Sequence, residues 1–328
     1  MANPNYDEIL STTLAAHRES FTDNVFKRRP LAFYLKDNGR VKMKDGGHKI
    51  VMPIMLTTSN GGGSYTGYDT LSLATSDTGT AAEFTWKQYQ QPITIDGLTE
   101  FKNSGVNQLI DLLEAKVNQA EDTMIENLNT MWFGDGTGNG GKDMNGLGVL
   151  IGDESDAITT VGGIDCSLAA NATWRSGVYR SAGTFSGSGT PSATVNGINK
   201  IRTAMNTATR GTDKVDLILT DQSIYEAFEA QLNPLTRYED VKAANAGFEN
   251  FTYKSVPIMW DEQIPTQYLT YGINTKHLNL IGGKGRWFYN TPFETTPDKD
   301  AKWAHVLCYG NMVTDSRRHH FRIEFSGA

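Results

Sequence analysis

The 328-residue chain has only two cysteines, Cys166 and Cys308, too few for a disulfide framework. Cys308 lies in the apolar run "WAHVLCYG", where a buried free thiol is expected. Apolar runs are short: none approaches the ~18 consecutive residues of a membrane span, and the opening "MANPNYDEIL" has neither the basic nor the apolar segment of a secretory signal. Positive charge is in deficit, with 30 Lys and Arg against 37 Asp and Glu, a net charge of −7. A nucleic-acid binder normally shows a basic surplus, so binding of that kind is not expected. Chemistry-bearing spacings are missing as well. His17, His48, His277 and His305 form no H-x-x-x-H or HExxH pattern, and no G-x-S-x-G elbow occurs. His319 and His320, read as neighbours on one strand, point to opposite faces and cannot converge on a metal; beside Arg317 and Arg318 they read as a solvated or interface strand.

What remains is a polar, loop-rich chain with 38% apolar residues, 20% charged residues and 33 glycines, enough for one large domain or two or three lobes. Ile9, Leu14, Phe21, Val25 and Phe26 recur at loosely helical spacing, which predicts a short N-terminal helix ending before Pro30. "HKIVMPIML" reads as a strand at an edge or bulge, since Pro53 lacks a ladder N–H. "AAEFTWKQYQQPITI" reads as its partner, with Phe84 and Trp86 on one face and Glu83, Thr85 and Lys87 on the other. Between them lies a nearly uncharged, glycine-rich stretch of ~24 residues, longer than most loops inside a compact domain. A long hairpin with so little interior is marginal alone, so it is expected to pack on a partner.

The clearest helix is "NSGVNQLIDLLEAKVNQAEDTMIENLNTMWF", residues 103–133, with Val106, Leu109, Leu113, Val117, Ala120, Met124, Leu128 and Met131 stepping by three or four. At 1.5 Å per residue it is a rod of roughly 45 Å. Its other side is acidic, through Asp111, Glu114, Glu121, Asp122 and Glu126, and reads as a solvated face or a patch for a basic partner. Residues 152–195 read as irregular surface with a few short strands. A helix at 194–208, the strand "KVDLILT" and the short helix "DQSIYEAFEAQL" follow. "VPIMWDEQIP", "YLTYGIN", "HLNLIGG" and "GRWFYN" are strand-like, and a half-buried strand closes the chain.

Seven glycines fall between Gly134 and Gly148, and Gly136 to Lys142 literally fits G-x-x-x-x-G-K. The chemistry does not follow. Asp143 stands where the motif needs a hydroxyl for Mg²⁺. The run also leaves the C-terminal end of a helix, whose partial charge is negative, and a phosphate loop needs a helix N-terminus. A helix stop and chain reversal, followed by a strand, is the expected role. An Asp135–Asn139–Asp143 calcium loop lacks its twelfth-position Glu.

The order of these segments resembles the tailed-bacteriophage major capsid proteins, the Hong Kong ninety-seven fold. In that family the spine helix runs into a "GDGTG" turn and then a "G-[IL]" strand start, here Gly134-Asp135-Gly136-Thr137-Gly138 and Gly146-Leu147. The following helix, apolar strand and short helix match 194–208, 215–220 and 221–231. A "G/S-x-P-[IV]" strand and an "IP" turn match Ser255-Val256-Pro257-Ile258 and Ile264-Pro265, and the Arg-rich closing strand matches 303–325. The resemblance covers most of the chain from about residue 46 onward.

It implies an α+β phage capsid fold. Residues 1–45 would be an N-terminal arm and 46–97 an extended hairpin, the E-loop. Residues 98–150 with 290–328 would form a peripheral (P) domain on the spine helix, and 151–289 an axial (A) domain. The implied function is self-assembly, as pentamers and hexamers, into the icosahedral head shell enclosing double-stranded DNA without sequence-specific binding. A separate scaffolding protein and a portal are the other implied partners, since only ~45 residues precede the hairpin. No enzyme activity, cofactor, metal or membrane is implied, and the place is the virion, assembled in the host bacterial cytoplasm. Interface candidates are Phe26, Arg28 and Arg29 beside the "FKRRP" cluster, Tyr65 and Tyr68 in the hairpin tip, Phe84, Trp86, Lys87 and Tyr89 on the second strand, and Glu121 and Glu126 on the helix. The alternatives are an encapsulin-like compartment shell and a nucleotide-binding enzyme using the Gly136–Lys142 loop.

Overall fold

A computed structural model describes residues 24, 26–56, 62–71, 79–98, 106–180, 185, 197–231, 250–295 and 299–326; for 106–114 and 231 it gives the backbone alone. The expected helix residues Ile9, Leu14, Phe21 and Val25 and much of the hairpin tip therefore lie outside the described residues.

Pro30 starts a helix. α1, Pro30–Asp37, carries the proline in its first turn, where the missing N–H costs nothing, and buries Leu31, Ala32 and Leu35. β1, Val41–Lys44, then pairs parallel with residues 280–283 of the same chain. The arm expected at 1–45 is thus seated on its own subunit from residue 30 onward.

β2, Ile50–Met55, and β3, Gly79–Phe84, form the expected hairpin, in register from Ile50 opposite Phe84 to Met55 opposite Gly79. The expected second strand is not continuous. It breaks at Thr85–Trp86, and β4, Lys87–Asp96, leaves the hairpin to pair antiparallel with residues 301–310. Period-2 alternation is the same on both sides of the break; the partner strand decides where the chain turns away.

α2, Val106–Phe133, is the long helix. From residue 115 on, Val117, Ala120, Met124, Ile125, Leu128, Trp132 and Phe133 are buried, one continuous stripe facing the core. Buried Asn129 donates to Asp261 Oδ1 at 2.8 Å, tying the helix to the turn after the strand at 256–260. Burial raises the pKa of Asp261, against hydrogen bonds from Gln263 N and Asn129.

After the glycine turn the chain forms a short helix, α3, Leu147–Ile151, where a strand was expected. Gly146 explains the close packing: a Cβ there would fall 2.4 Å from Met131 O and 2.5 Å from Gly134 O. The next segment is irregular apart from β5, Thr160–Val161, and β6, Ile164–Asp165, then β7, Gly177–Tyr179. α4, Gly197–Ala208, β8, Leu217–Thr220, α5, Gln222–Gln231, β9, Phe251–Tyr253, β10, Val256–Trp260, and β11, Leu269–Ile273, follow.

β12, Leu278–Gly283, β13, Tyr289–Asn290, and β14, Glu294–Thr295, lie along one edge of β15, Ala301–Thr314, while β4 occupies the other. With β1 beyond β12 this is one six-stranded sheet. The second runs β7-β16-β11-β8-β10-β9, where β16 is Phe321–Glu324. The closing strand read as one unit is therefore two, joined by a short 3₁₀ turn at 317–319, and each half belongs to a different sheet. Sheet membership does not follow chain order: β12 lies in the sheet of β15 and β16 in the sheet of β11.

Arg317 holds this crossing. It is 1% exposed, and its guanidinium donates to Leu150 O at 2.7 Å, Trp174 O at 3.3 Å, Gly152 O and the Cys166 sulfur. His320 is fully buried, with Nδ1 accepting from Asn274 N at 3.2 Å, and burial pushes its pKa down to about 3. The solvated or interface strand expected at Arg317–His320 is corrected: the chain must leave one sheet for the other here, and that turns Arg317, His319 and His320 inward while Arg318 stays exposed.

Candidate assembly surface

The hairpin has two unlike faces. Ile50, Ile54, Ala82 and Phe84 are buried against the chain's own irregular segment, where Glu83 N donates to Gly162 O at 2.8 Å and Gly162 lies against Ala82. The opposite face points away from the subunit, with Val51 46% and Met55 75% exposed. Strand alternation alone produces this split. At the tip, Tyr65 and Leu71 are largely exposed and Tyr68 is fully so. Thr66 and Asp69 fix a local turn, Asp69 N donating to Thr66 O and Thr66 N to Asp69 Oδ2, each at 2.7 Å. Apolar side chains on the strand and at the tip thus stand exposed on the subunit, an arrangement that marks contact surfaces.

At the hairpin's base, Trp86, Lys87 and Tyr89 meet Lys142 and Tyr309 around an open groove of about 600 Å³. Trp86 Nε1 donates to Gly47 O at 2.9 Å, and Lys87 Nζ donates to Gly141 O. The Tyr89 hydroxyl donates to Gln91 Oε1 and accepts from Asn127 Nδ2, both at 2.9 Å; burial raises its pKa. The structure therefore brings together three strand residues and a lysine from the glycine turn that the sequence does not connect.

Most of the other candidate residues find their partners within the subunit. Phe26 is buried and stacks between Trp132 and Trp287, with ring centroids 6.5 Å apart in each case. Phe84 and Glu121 are buried as well, so these three are corrected from interface to interior positions. Arg28 pairs with Asp122 and Arg29 with Glu262 at 2.6 Å, so the acids that the "FKRRP" cluster meets are the chain's own. Glu126 stays exposed on the helix.

In the Gly136–Lys142 run Gly141 N donates to Thr137 O at 2.9 Å and Lys142 N to Gly138 O at 3.2 Å, so these amides already have partners in the chain. Gly148 N, at the start of α3, donates to Gly134 O at 3.1 Å, so this helix end faces a carbonyl. Asp135 Oδ1 accepts from Thr137 N at 3.0 Å and Thr137 Oγ at 2.7 Å, and these bonds lower its pKa. The "GDGTG" segment is an Asp-centred turn that reverses the chain after α2.

One cluster escaped the sequence altogether. Asp213, His277 and His319 place a ligand atom each within 4.8 Å of one another. They lie in three connections far apart in the chain, and no spacing signals their meeting.

No protein-family model and no curated protein matches the sequence. Solved structures do. The capsid asymmetric unit of cyanophage A-1(L) superposes with a TM-score of 0.58 at 15% identity, over 87% of this chain and 90% of that one. The capsid of the empty GTA particle gives 0.57 at 10% identity over 89% of each chain. The virus-like particle from Pyrococcus furiosus gives 0.51 at 10% identity over 98% of this chain and 100% of the other. The chain has the α+β fold of the tailed-phage capsid proteins, the Hong Kong ninety-seven fold.

Proposed function

We propose that this chain is a major capsid protein that self-assembles into the icosahedral head shell around a phage double-stranded DNA genome. One observation carries the reading. A subunit with the capsid fold over nearly its whole length extends a hairpin whose outer face, Val51 and Met55, and tip, Tyr65, Tyr68 and Leu71, find no cover on their own chain. A neighbouring copy supplies it. Contacts that are individually modest become stable when a closed shell repeats them on every subunit.

In this reading the lobe built on α2, β4 and β15 is peripheral, and the sheet of β7–β11 and β16 with α4 and α5 is axial. Copies meet as pentamers and hexamers. The exposed hairpin residues, the groove at Trp86, Lys87 and Tyr89, and Glu126 make the contacts. A separate scaffolding protein and a portal complete the head, and the DNA is enclosed without base recognition, in keeping with the net charge of −7. The subunit acts by assembly, not catalysis, and its place is the virion, assembled in the host bacterial cytoplasm.

Electron microscopy of the purified protein tests this. Closed particles of uniform diameter are expected from the intact chain, and a folded subunit that forms no shells from a chain lacking residues 58–79. Normal shells from the shortened chain would refute the hairpin contact.

A further inference from the structure

We infer that Asp213, His277 and His319 form a binding site for a divalent transition-metal ion of the zinc class, located where the chain crosses between its two sheets. The three residues come from separate connections: Asp213 precedes β8, His277 lies between β11 and β12, and His319 lies between β15 and β16. The last two are the crossings themselves, and their imidazoles stack with centroids 4.2 Å apart.

Each imidazole is held from its outer nitrogen. His277 Nδ1 lies 2.7 Å from Asp315 Oδ1; a carboxylate only accepts, so Nδ1 carries the proton and Nε2 presents a lone pair. This carboxylate–histidine arrangement is the one that orients metal-ligating imidazoles and raises their basicity. His319 Nδ1 is engaged by Ser316 Oγ at 2.7 Å, which leaves its Nε2 for the cluster.

The inner side is left open. His277 Nε2 is buried without a hydrogen-bond partner, and the nearest carboxylate oxygen, Asp213 Oδ2, stands 4.0 Å away, beyond hydrogen-bond reach. Asp213 is oriented by Lys276, which holds the other oxygen at 2.7 Å. Two imidazole nitrogens and one carboxylate oxygen are a zinc donor set, with a fourth position for water. Tetrahedral zinc with bonds of about 2.0–2.1 Å needs donor atoms about 3.3 Å apart, so on binding the widest pair, within 4.8 Å, closes by about 1.5 Å and the two rings, now 15° from parallel, tilt to aim both lone pairs at the ion.

Such an ion would tie together three connections more than 40 residues apart in sequence (Asp213, His277, His319) and fix the crossing between the sheets. This holds for any folded subunit, whether or not it assembles.

The test is calorimetric titration of the chelator-dialysed full chain with zinc chloride. Saturable binding of one ion per chain is expected. His277→Gln and Asp213→Asn should weaken it by more than about 100-fold, and Asp315→Ala, which frees the outer nitrogen, by about 10–100-fold. Because a variant at the crossing can misfold, the unaltered chain is also titrated with Co²⁺, whose visible ligand-field bands should show a tetrahedral nitrogen and oxygen site. Absence of binding, binding undiminished in both ligand variants, or an octahedral all-oxygen cobalt spectrum would each overturn the assignment.

Discussion

Arg317 shows how much of this fold rests on single side chains. It has no carboxylate partner among the described residues, and its charge is spread over three carbonyl oxygens and a thiol. Arg317→Met fills the volume but strands those acceptors, each at about 1–3 kcal/mol, so a loss of about 3 kcal/mol or more is expected in urea unfolding of the subunit. A change within error would mean that water satisfies the carbonyls. Gly146→Ala tests the close approach at the glycine turn, where no flexible side chain can yield to the new methyl group; about 1–3 kcal/mol is expected to be lost. Asp135 gives a pH signature. Its carboxylate is stabilised by Thr137, so its folded pKa lies below the ordinary value of 3.8, and its contribution is present above that value and lost as pH falls through the folded one. Asp135→Ala should therefore melt below the unaltered chain near pH 7, and the gap should close as pH falls below the ordinary value of 3.8 and through the folded one. A gap that persists in acid would show that the turn depends on something other than the ionised carboxylate. The turn itself could be read from "GDGTG". The burial of Arg317 could not, because its acceptors, Leu150, Gly152, Cys166 and Trp174, lie more than 140 positions away.

At the level of elements, legibility followed locality. α2 could be read along its length because apolar residues at steps of three and four specify a helix within one segment. The strand break at Thr85–Trp86 could not, because nothing in "AAEFTWKQYQQPITI" distinguishes the half that pairs with β2 from the half that pairs with β15. The same holds for the interface candidates. Phe26 and Phe84 have the composition of contact residues, and only the packing of Trp132, Trp287 and Gly162 around them makes them interior. Tyr65 and Tyr68, in a segment without an interior of its own, stay outside. The two faces of the hairpin can be separated by experiment. Val51→Asp with Met55→Asp changes only exposed positions, so subunit stability should move by no more than about 0.5 kcal/mol. Particle formation, followed by light scattering and sedimentation, should be lost, because burying those charges against a neighbour is costly. Shells at the normal yield would place the contact elsewhere.

For the whole molecule the decisive feature is that neither sheet is built from one stretch of chain. β1 and β12 reach the sheet of β4 and β15 from far apart in sequence, and β16 inserts between β7 and β11 after the chain has left β15. Such interleaving raises the question of how far each lobe depends on the other, and it leaves no trace in composition. Phe321 tests the dependence without touching the crossing. Its ring is fully buried between the strands of the second sheet and packs in a cluster with Ile218, Ile258 and Ile323. Phe321→Asp should expel β16 from that sheet, since an unpaired carboxylate cannot be buried there. Hydrogen exchange should then show lost protection at Leu217–Thr220 and Leu269–Ile273, while the ladder between β4 and β15 keeps its own, because none of its hydrogen bonds involve β16. Full protection of the second sheet would show that β16 is dispensable to it. Loss in both sheets at once would mean that the subunit unfolds as one unit, with the crossing at Arg317 and His319 transmitting the damage.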